Sequence, residues 1–487
     1  MPALIDRQTE QQELRALLNR GTPQLALLYG RRRVGKTYLL NHVWPKEQVF
    51  YFTGAETTEE QNRGTLVQDL ADWSGDTLHV DDYPTWRQVF RLLLEVRTPQ
   101  PLVVVLDEFQ YLGKTPEELG SIASELNAVW EHHRPNRPFV LIISGSAVKT
   151  LAALDEGGAP LYGRFTWKAK LEPFDYGHVA EMAPFASLQD RVRCYAAFGG
   201  TPRYLAAIDL EQSLDENIAR LLLDPRGEVR SLVETALVQE RGLREVAKYQ
   251  AILRAIGTGD SEFAEIKSRA GLQGDADTAV RRMLHKLIDL GYLRSERNVG
   301  AKATAAYRYR IDDPAVAFYY AFVTRFEAAL ARNNPTSIWT KHVARLFDSC
   351  IGHVFERIAE QAYRRLQARL DLPLVGDWGR WEGQDSERQS LELDIVAPLV
   401  DGRVMTGGVK WNATPIPVQW HHLHMECLHR LTKSGVAWAH TAAKQKSPLL
   451  WVAAGGFHPD FVTAVRNESA EVYLWDLETL YGSEATR

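Results

Sequence analysis

Gly30-Arg31-Arg32-Arg33-Val34-Gly35-Lys36-Thr37 decides the fold of this 487-residue chain. The apolar run Leu25-Ala26-Leu27-Leu28-Tyr29 precedes it, and Tyr38-Leu39-Leu40-Asn41-His42-Val43, helical in pattern, follows it. Strand, glycine-bounded turn and helix is the arrangement in which backbone N–H groups and a helix N-terminus converge on an anion. Gly30 and Gly35 allow backbone geometry that a Cβ would obstruct. Lys36 is expected to reach the β- and γ-phosphates of a nucleotide, and the Thr37 hydroxyl to coordinate Mg²⁺. Arg33, Val34 and Tyr38 complete the set expected around the nucleotide. ATP and Mg²⁺ are the expected cofactors.

A second stretch supports this reading. Pro101-Leu102-Val103-Val104-Val105-Leu106-Asp107-Glu108 is a buried-strand pattern that ends in two acids. A continuous apolar run rich in β-branched residues reads as a central parallel strand. Its carboxyl end is where open α/β sheets bind ligands. Asp107 is expected in the Mg²⁺ shell, and Glu108 as the base that polarises an attacking water.

Alternation continues on both sides. A helix is expected at 7–19, strands at 48–52, 102–106 and 139–146, and helices at 85–96 and 117–132. This order predicts an α/β fold with a doubly wound parallel sheet. Ser144 and Ser146 end the last of these strands beside the acidic one. There a hydroxyl either senses the nucleotide or caps the following helix. Arg164, in Pro160-Leu161-Tyr162-Gly163-Arg164-Phe165, is a candidate arginine finger, supplied in cis or by a neighbouring subunit.

Composition narrows the classes. A net charge of −5 gives no global basic signature, so any nucleic-acid surface must be local. Cys194, Cys350 and Cys427 form no metal spacing and cannot all pair, which fits a reducing, cytoplasmic setting. No leader pattern and no apolar stretch of membrane-spanning length is read, so no membrane partner is expected.

Residues 244–312 read as a winged helix. Helices are expected at 246–256, 263–270 and 277–289, and a β-wing at 293–311. Arg281, Arg282, His285 and Lys286 lie on the third helix, and Arg294, Arg297, Lys302, Arg308 and Arg310 on the wing. Such a helix can enter a major groove while wing cations meet phosphates. DNA is the expected partner. The alternative is a protein adaptor whose basic residues form a solvated face.

Several motifs occur together: the phosphate loop with Arg32 and Arg33, the strand ends Leu106-Asp107-Glu108 and Ser144-Gly145-Ser146, Leu161-Tyr162-Gly163-Arg164, and Gly199-Gly200-Thr201-Pro202-Arg203-Tyr204-Leu205. In this order they resemble the archaeal-type ATPase family, P-loop ATPases allied to AAA+ and STAND proteins. The resemblance implies a P-loop NTPase sheet over 1–173 and a helical lid over 174–243. A winged helix with its linker helix would follow over 244–334. It also implies an adenine contact from Asp6 and Arg7, although the family's Arg-Glu-x-Glu-Leu is only partly kept as Arg7-Gln8-Thr9-Glu10-Gln11.

Residues 335–487 resemble the PD-(D/E)xK nuclease-like domain that follows this ATPase module, a restriction-endonuclease-like α/β fold. The resemblance rests on Gly379-Arg380-Trp381, Leu393-Asp394-Ile395-Val396-Ala397 and Val409-Lys410-Trp411. Glu392 and Asp394 alternate onto one strand face, Lys410 lies on the neighbouring strand, and Glu356 matches the fold's helical acid. The pattern needs an acid two residues before the lysine, where this chain has Gly408. Glu392 and Glu356 are the alternatives for the missing ligand. The expectation is a domain that binds rather than cleaves.

The function expected is therefore a DNA-associated ATPase, in which hydrolysis moves the winged-helix and nuclease-like domains. Two rivals stay open: a STAND-like switch that recruits protein partners, and an ATP-licensed structure-specific nuclease. A homo-oligomer would follow if Arg164 acts in trans.

Overall fold

Five strands build the sheet of the N-terminal part: β1 (Gln24–Tyr29), β2 (Val49–Thr53), β3 (Leu102–Asp107), β4 (Phe139–Gly145) and β5 (Trp167–Lys170). The computed structural model describes residues 7–96, 102–240, 243–302, 305–444, 447–469 and 471–482. They fall into two compact units, Met1–Pro173 with Thr201–Arg203, and Phe174–Gly200 with Tyr204–Arg487.

In the first unit the strand order is β2-β3-β4-β1-β5, and every pair is parallel. Side chains alternate between the faces. Leu25, Leu27, Phe52, Val104, Leu106 and Ile143 pack under the helices Glu59–Ser74, Trp86–Glu95 and Pro116–His133. Ala26, Leu28, Val103, Val105, Val140 and Ile142 pack against Leu14, Leu17, Leu39 and Leu40 of the helices Gln8–Asn19 and Lys36–Val43. With both faces covered, the strands are apolar throughout rather than alternating. β4 separates β1 from β3, so the glycine loop and the paired acids leave the same carboxyl edge, one strand apart.

Among the elements to which the sequence reading assigns no range are a helix and a strand of this unit. The helix Glu59–Ser74 begins at a capping box between Thr58 and Gln61, but its buried apolar residues Leu66, Val67, Leu70 and Ala71 lie only in its middle and later turns. β5 alternates half-buried Trp167 and Ala169 with exposed Lys168 and Lys170, as an edge strand does.

In the second unit, Tyr176–Met182, Leu188–Phe198, Leu214–Ile218 and Glu228–Ala236 are helices. Three more follow, Val246–Gly257, Phe263–Arg269 and Asp277–Asp289, and then an antiparallel pair of β6 (Leu293–Glu296) and β7 (Arg308–Ile311). The C-terminal region forms a mixed sheet from β8 (Gly379–Gln384), β9 (Ser390–Pro398), β10 (Val404–Lys410), β11 (Leu449–Ala453) and β12 (Val472–Trp475), ordered β12-β11-β10-β9-β8. β8, β9 and β10 are antiparallel neighbours, whereas β10, β11 and β12 run parallel. The 23-residue helix Ala344–Leu366 buries Phe355, Ile358, Ala359 and Ala362 in the same core as Ile395, Met405 and Leu450. Among the described residues, no helix is long and apolar enough to cross a membrane.

Candidate functional site

The loop leaving β1 is shaped by its glycines. A Cβ on Gly30 would run into the Leu171 carbonyl, and Gly35 takes a φ of +95° just ahead of the helix Lys36–Val43. Arg33 also sits in the left-handed region, at φ +70°. Lys36 is buried and donates to the carbonyls of Gly30 at 2.8 Å and Arg31 at 3.0 Å, so its ammonium lies across the loop's own concavity. Val34 is buried beneath the loop, and Tyr38 is exposed in the first helical turn, stacked on His42 with ring centres 4.0 Å apart.

Thr37 and Asp107 meet. The Thr37 hydroxyl donates to Asp107 Oδ2 at 3.0 Å, and the Tyr51 hydroxyl donates to the same oxygen at 2.5 Å. Asp107 is buried at the end of β3. Burial, then the Asp107 carboxylate, holds the Tyr51 phenol well above its ordinary pKa, so it stays a donor. Glu108 follows at a φ of +48°, which turns it out of the strand direction. Its Oε2 accepts from the Ser146 hydroxyl at 2.7 Å and from the Gln110 amide.

Ser144 is fully buried at the carboxyl half of β4, and its hydroxyl has no hydrogen-bond partner among the described residues. A buried hydroxyl left unpaired costs about 1–3 kcal/mol. That orphan, the glycine cradle and the Thr37–Asp107 contact fit a nucleotide with Mg²⁺ at this edge of the sheet. Tyr51 and Gln110 join the site without a motif that marks them. The only signal for Tyr51 is a hydroxyl two residues before the end of a strand that pairs with β3.

Of two further candidates, one lies apart from the loop. Arg164 is not brought to it: Thr166 N–H donates to Leu25 O at the start of β1, which places Arg164 at the amino end of the sheet. There it pairs with Glu131 at 3.3 Å and reaches Asn127. A six-residue strand separates that end from the loop, about 20 Å at ~3.3 Å per residue, so a cis finger is excluded by this geometry. Arg7 donates to the Glu172 carbonyl and pairs with Glu10 at 3.5 Å. Asp6 lies outside the described residues.

The basic residues of the second unit divide sharply. Arg281, Arg282 and His285 are exposed on the helix Asp277–Asp289, with Arg281 over the Phe263 ring at 4.0 Å and Lys286 half-buried. On the hairpin, Arg294 and Arg310 both pair with Glu296, at 2.6 and 3.0 Å. Arg308 pairs with Glu382 at 3.2 Å, and Arg297 stacks over Tyr307 at 4.4 Å. The expected phosphate contacts of Arg308 and Arg310 are thus occupied within the chain, and Lys302 is exposed.

In the C-terminal region, Glu356 of the helix Ala344–Leu366 and Glu392 and Asp394 of β9 each bring an oxygen within 4.8 Å of the others. Lys410 pairs with Asp394 at 2.6 Å and lies 4.6 Å from the centre of the Trp420 ring. Gly408 lines the adjoining cleft of about 90 Å³ with Trp451 and His424. Glu392 and Asp394 share a strand face as their spacing predicts. Arg380, from the Gly379-Arg380-Trp381 motif, stands among these acids, and the motif alone does not signal that pairing.

Comparison with known proteins places the first unit. Residues 4–208 match the profile of a family described as "ATPase domain predominantly from Archaea". Residues 319–421 match another described as "Archaea bacterial proteins of unknown function". An uncharacterized protein of Methanocaldococcus jannaschii, MJECL04, is 25% identical over 419 residues, 84% of this chain and 87% of its own. Among solved structures, the Walker-type ATPase paby2304 of Pyrococcus abyssi is 20% identical with a TM-score of 0.46, over 65% of this chain and 96% of its own. The ORC2 protein of Aeropyrum pernix, in its ADPNP-ADP complexes, is 17% identical with a TM-score of 0.45, over 68% and 96%. With the loop and acidic strand in place and the profile matching across them, residues 4–208 carry an archaeal-type P-loop ATPase domain.

Proposed function

We propose that this chain hydrolyses ATP at the Gly30–Thr37 loop and uses the cycle to move a DNA-engaging winged helix and the C-terminal domain. The observation that carries the reading is the 3.0 Å contact between Thr37 and Asp107, which joins the phosphate loop to the acidic strand. Thr37 and Asp107 would hold Mg²⁺, whose charge offsets that building on the phosphates. Lys36 turns from its own loop carbonyls to the β- and γ-phosphates. Glu108, aligned by Ser146 and Gln110, accepts the proton of the attacking water. The Ser144 hydroxyl takes the γ-phosphate, or a water beside it, as its missing partner.

DNA enters through the helix Asp277–Asp289. Its exposed Arg281, Arg282 and His285 supply a local cationic face on a chain that is acidic overall. The wing contributes less than its composition suggests, because Arg308 and Arg310 are already paired. That pairing also supports a second reading, in which the module is a protein adaptor and the chain a STAND-like switch. ATP turnover measured alone and with single-stranded, duplex and junction DNA separates them. Stimulation by DNA supports the first reading, whereas retained ADP with no DNA effect supports the second. Nucleotide state can shift such domains only if ATP and ADP forms are held differently.

A further inference from the structure

We infer that Arg380, carried on the edge strand β8 and clamped there by the β6–β7 wing, is the counter-charge of the C-terminal acid cluster and closes that cluster to a divalent cation. The nuclease-like resemblance implies Mg²⁺ at Asp394. The residues present do not fit it. Gly408 offers no ligand, and a Cβ there would stand 2.6 Å from the Trp451 ring, so the space for a side chain is already filled. The remaining acids are occupied. Arg380 Nη1 lies 3.5 Å from Glu356, and Nη2 lies 3.3 Å from Glu382 and also binds Glu392. Lys410 holds Asp394, whose Oδ2 also accepts from the Val409 N–H at 2.8 Å. An entering cation has to displace a fixed guanidinium and an ammonium at once. Divalent metals held by oxygen need several free carboxylate or carbonyl lone pairs, and one oxygen of each acid is already committed.

The guanidinium is well suited to that place. Its planar fork spans carboxylates that a point charge would meet singly. Its side chain is only 12% exposed. Burial opposes its charge, but Glu356, Glu392, Glu382 and Asp394 more than offset this and raise its pKa above the ordinary arginine value.

The wing fixes the strand that carries it. Asn298 donates to the Glu382 carbonyl at 2.7 Å and accepts from the Glu382 N–H at 3.0 Å, while Val299 N–H donates to the Arg380 carbonyl at 3.2 Å. These bonds extend the sheet past β8. Val299 is buried with Leu393, Val396 and Trp438, and Gly379 leaves it room: a Cβ there would meet Val299 Cγ2 at 2.9 Å. Arg308 of the wing adds its pair to Glu382. Moving the wing off β8 therefore removes the strand's outer partner and frees Arg380. A partner that draws the wing away would expose the acids.

The test uses the full-length protein without nucleotide, titrated with Mn²⁺ and followed by the loss of the free-ion paramagnetic signal. The wild type and Glu392→Gln should give the same curve. Arg380→Met should gain one site at least tenfold tighter than any in the wild type, and adding Glu392→Gln should remove it. Asn298→Ala with Arg308→Ala leaves Arg380 in place but loosens the clamp, and should show part of that gain. This double variant carries the test if Arg380→Met does not fold. ATP turnover serves as the folding control and reads the phosphate loop separately, so failure here leaves the ATPase proposal standing. A wild-type Mn²⁺ site lost on Glu392→Gln would overturn the inference. So would folded variants that gain no site.

Discussion

Thr37 and Asp107 share a hydrogen bond of 3.0 Å across the gap between the glycine loop and β3, and Tyr51 binds the same carboxylate oxygen. Strand order places these residues one strand apart on the same edge. The contact separates two roles. Lys36→Ala should weaken ATP affinity about 10- to 100-fold, because a charge-assisted phosphate contact is worth roughly 1.5–3 kcal/mol. Thr37→Ala should keep most metal-free affinity and lose the strengthening that Mg²⁺ confers. Titration with a fluorescent ATP analogue, with and without Mg²⁺, reads both. Equal losses in the two variants would mean that Thr37 is not a metal ligand.

Glu108 is set apart from Asp107 by its left-handed backbone and by Ser146, which donates to it at 2.7 Å. Glu108→Gln should bind ATP normally and slow single-turnover hydrolysis about 10²- to 10⁴-fold, the usual size of a lost general base. Ser146→Ala should slow it less, since Gln110 still holds the carboxylate. Normal turnover in Glu108→Gln would move the base elsewhere.

Arg164 stands at the amino end of the sheet, paired with Glu131. If it serves ATP hydrolysis at all, it does so at a neighbouring molecule's loop. Arg164→Ala should then lower kcat while leaving ATP affinity intact. Mixing it with Glu108→Gln should restore part of the activity, because mixed neighbours rebuild one complete site. Absence of rescue, with turnover that does not depend on protein concentration, would reduce Arg164 to a surface ion pair.

The loop, the acidic strand and the sheet are legible in the sequence because each rests on local chemistry. Apolar runs predict buried parallel strands, and a glycine-bounded turn before a helix predicts an anion cradle. What escapes the sequence depends on distant partners. Tyr51 binds Asp107 because strands far apart along the chain become neighbours. Arg380 reaches Glu356 and Glu392 from a third element, and no spacing along the chain signals that. The wing illustrates the converse. Its cations read as phosphate contacts, yet Glu296 and Glu382 claim Arg310 and Arg308 once the hairpin and β8 come together.

The exposed pair Arg281 and Arg282 gives DNA binding a quantitative signature. Removing one phosphate-binding cation should reduce the slope of log affinity against log salt by about 0.9 on duplex DNA. Arg281→Ala with Arg282→Ala should flatten it by up to about 2, with weaker binding at low salt, measured by fluorescence anisotropy at several salt concentrations. An unchanged slope would make this helix an adaptor face. Arg308→Ala should leave the slope unaltered, since its charge is spent on Glu382.

His424 ties stability to acid in the C-terminal sheet. It is buried beside Trp451, paired with the Thr406 hydroxyl at 3.1 Å. Burial first, then the neighbouring His421, against an opposing pull from Asp394 and with a lesser push from Lys410, brings its pKa down to about 3. The unfolded chain takes up this proton near pH ~6.5, whereas the folded one does not until about pH 3. The neutral ring's contribution is therefore complete above the unfolded value and is lost as pH falls through that window, at up to about 1.4 kcal/mol per unit. His424→Gln keeps a partner for Thr406 and cannot titrate. Its urea midpoint should fall less than the wild type's between pH ~7 and pH ~4, followed by circular dichroism. Parallel declines would show that the ring is not what acid attacks first.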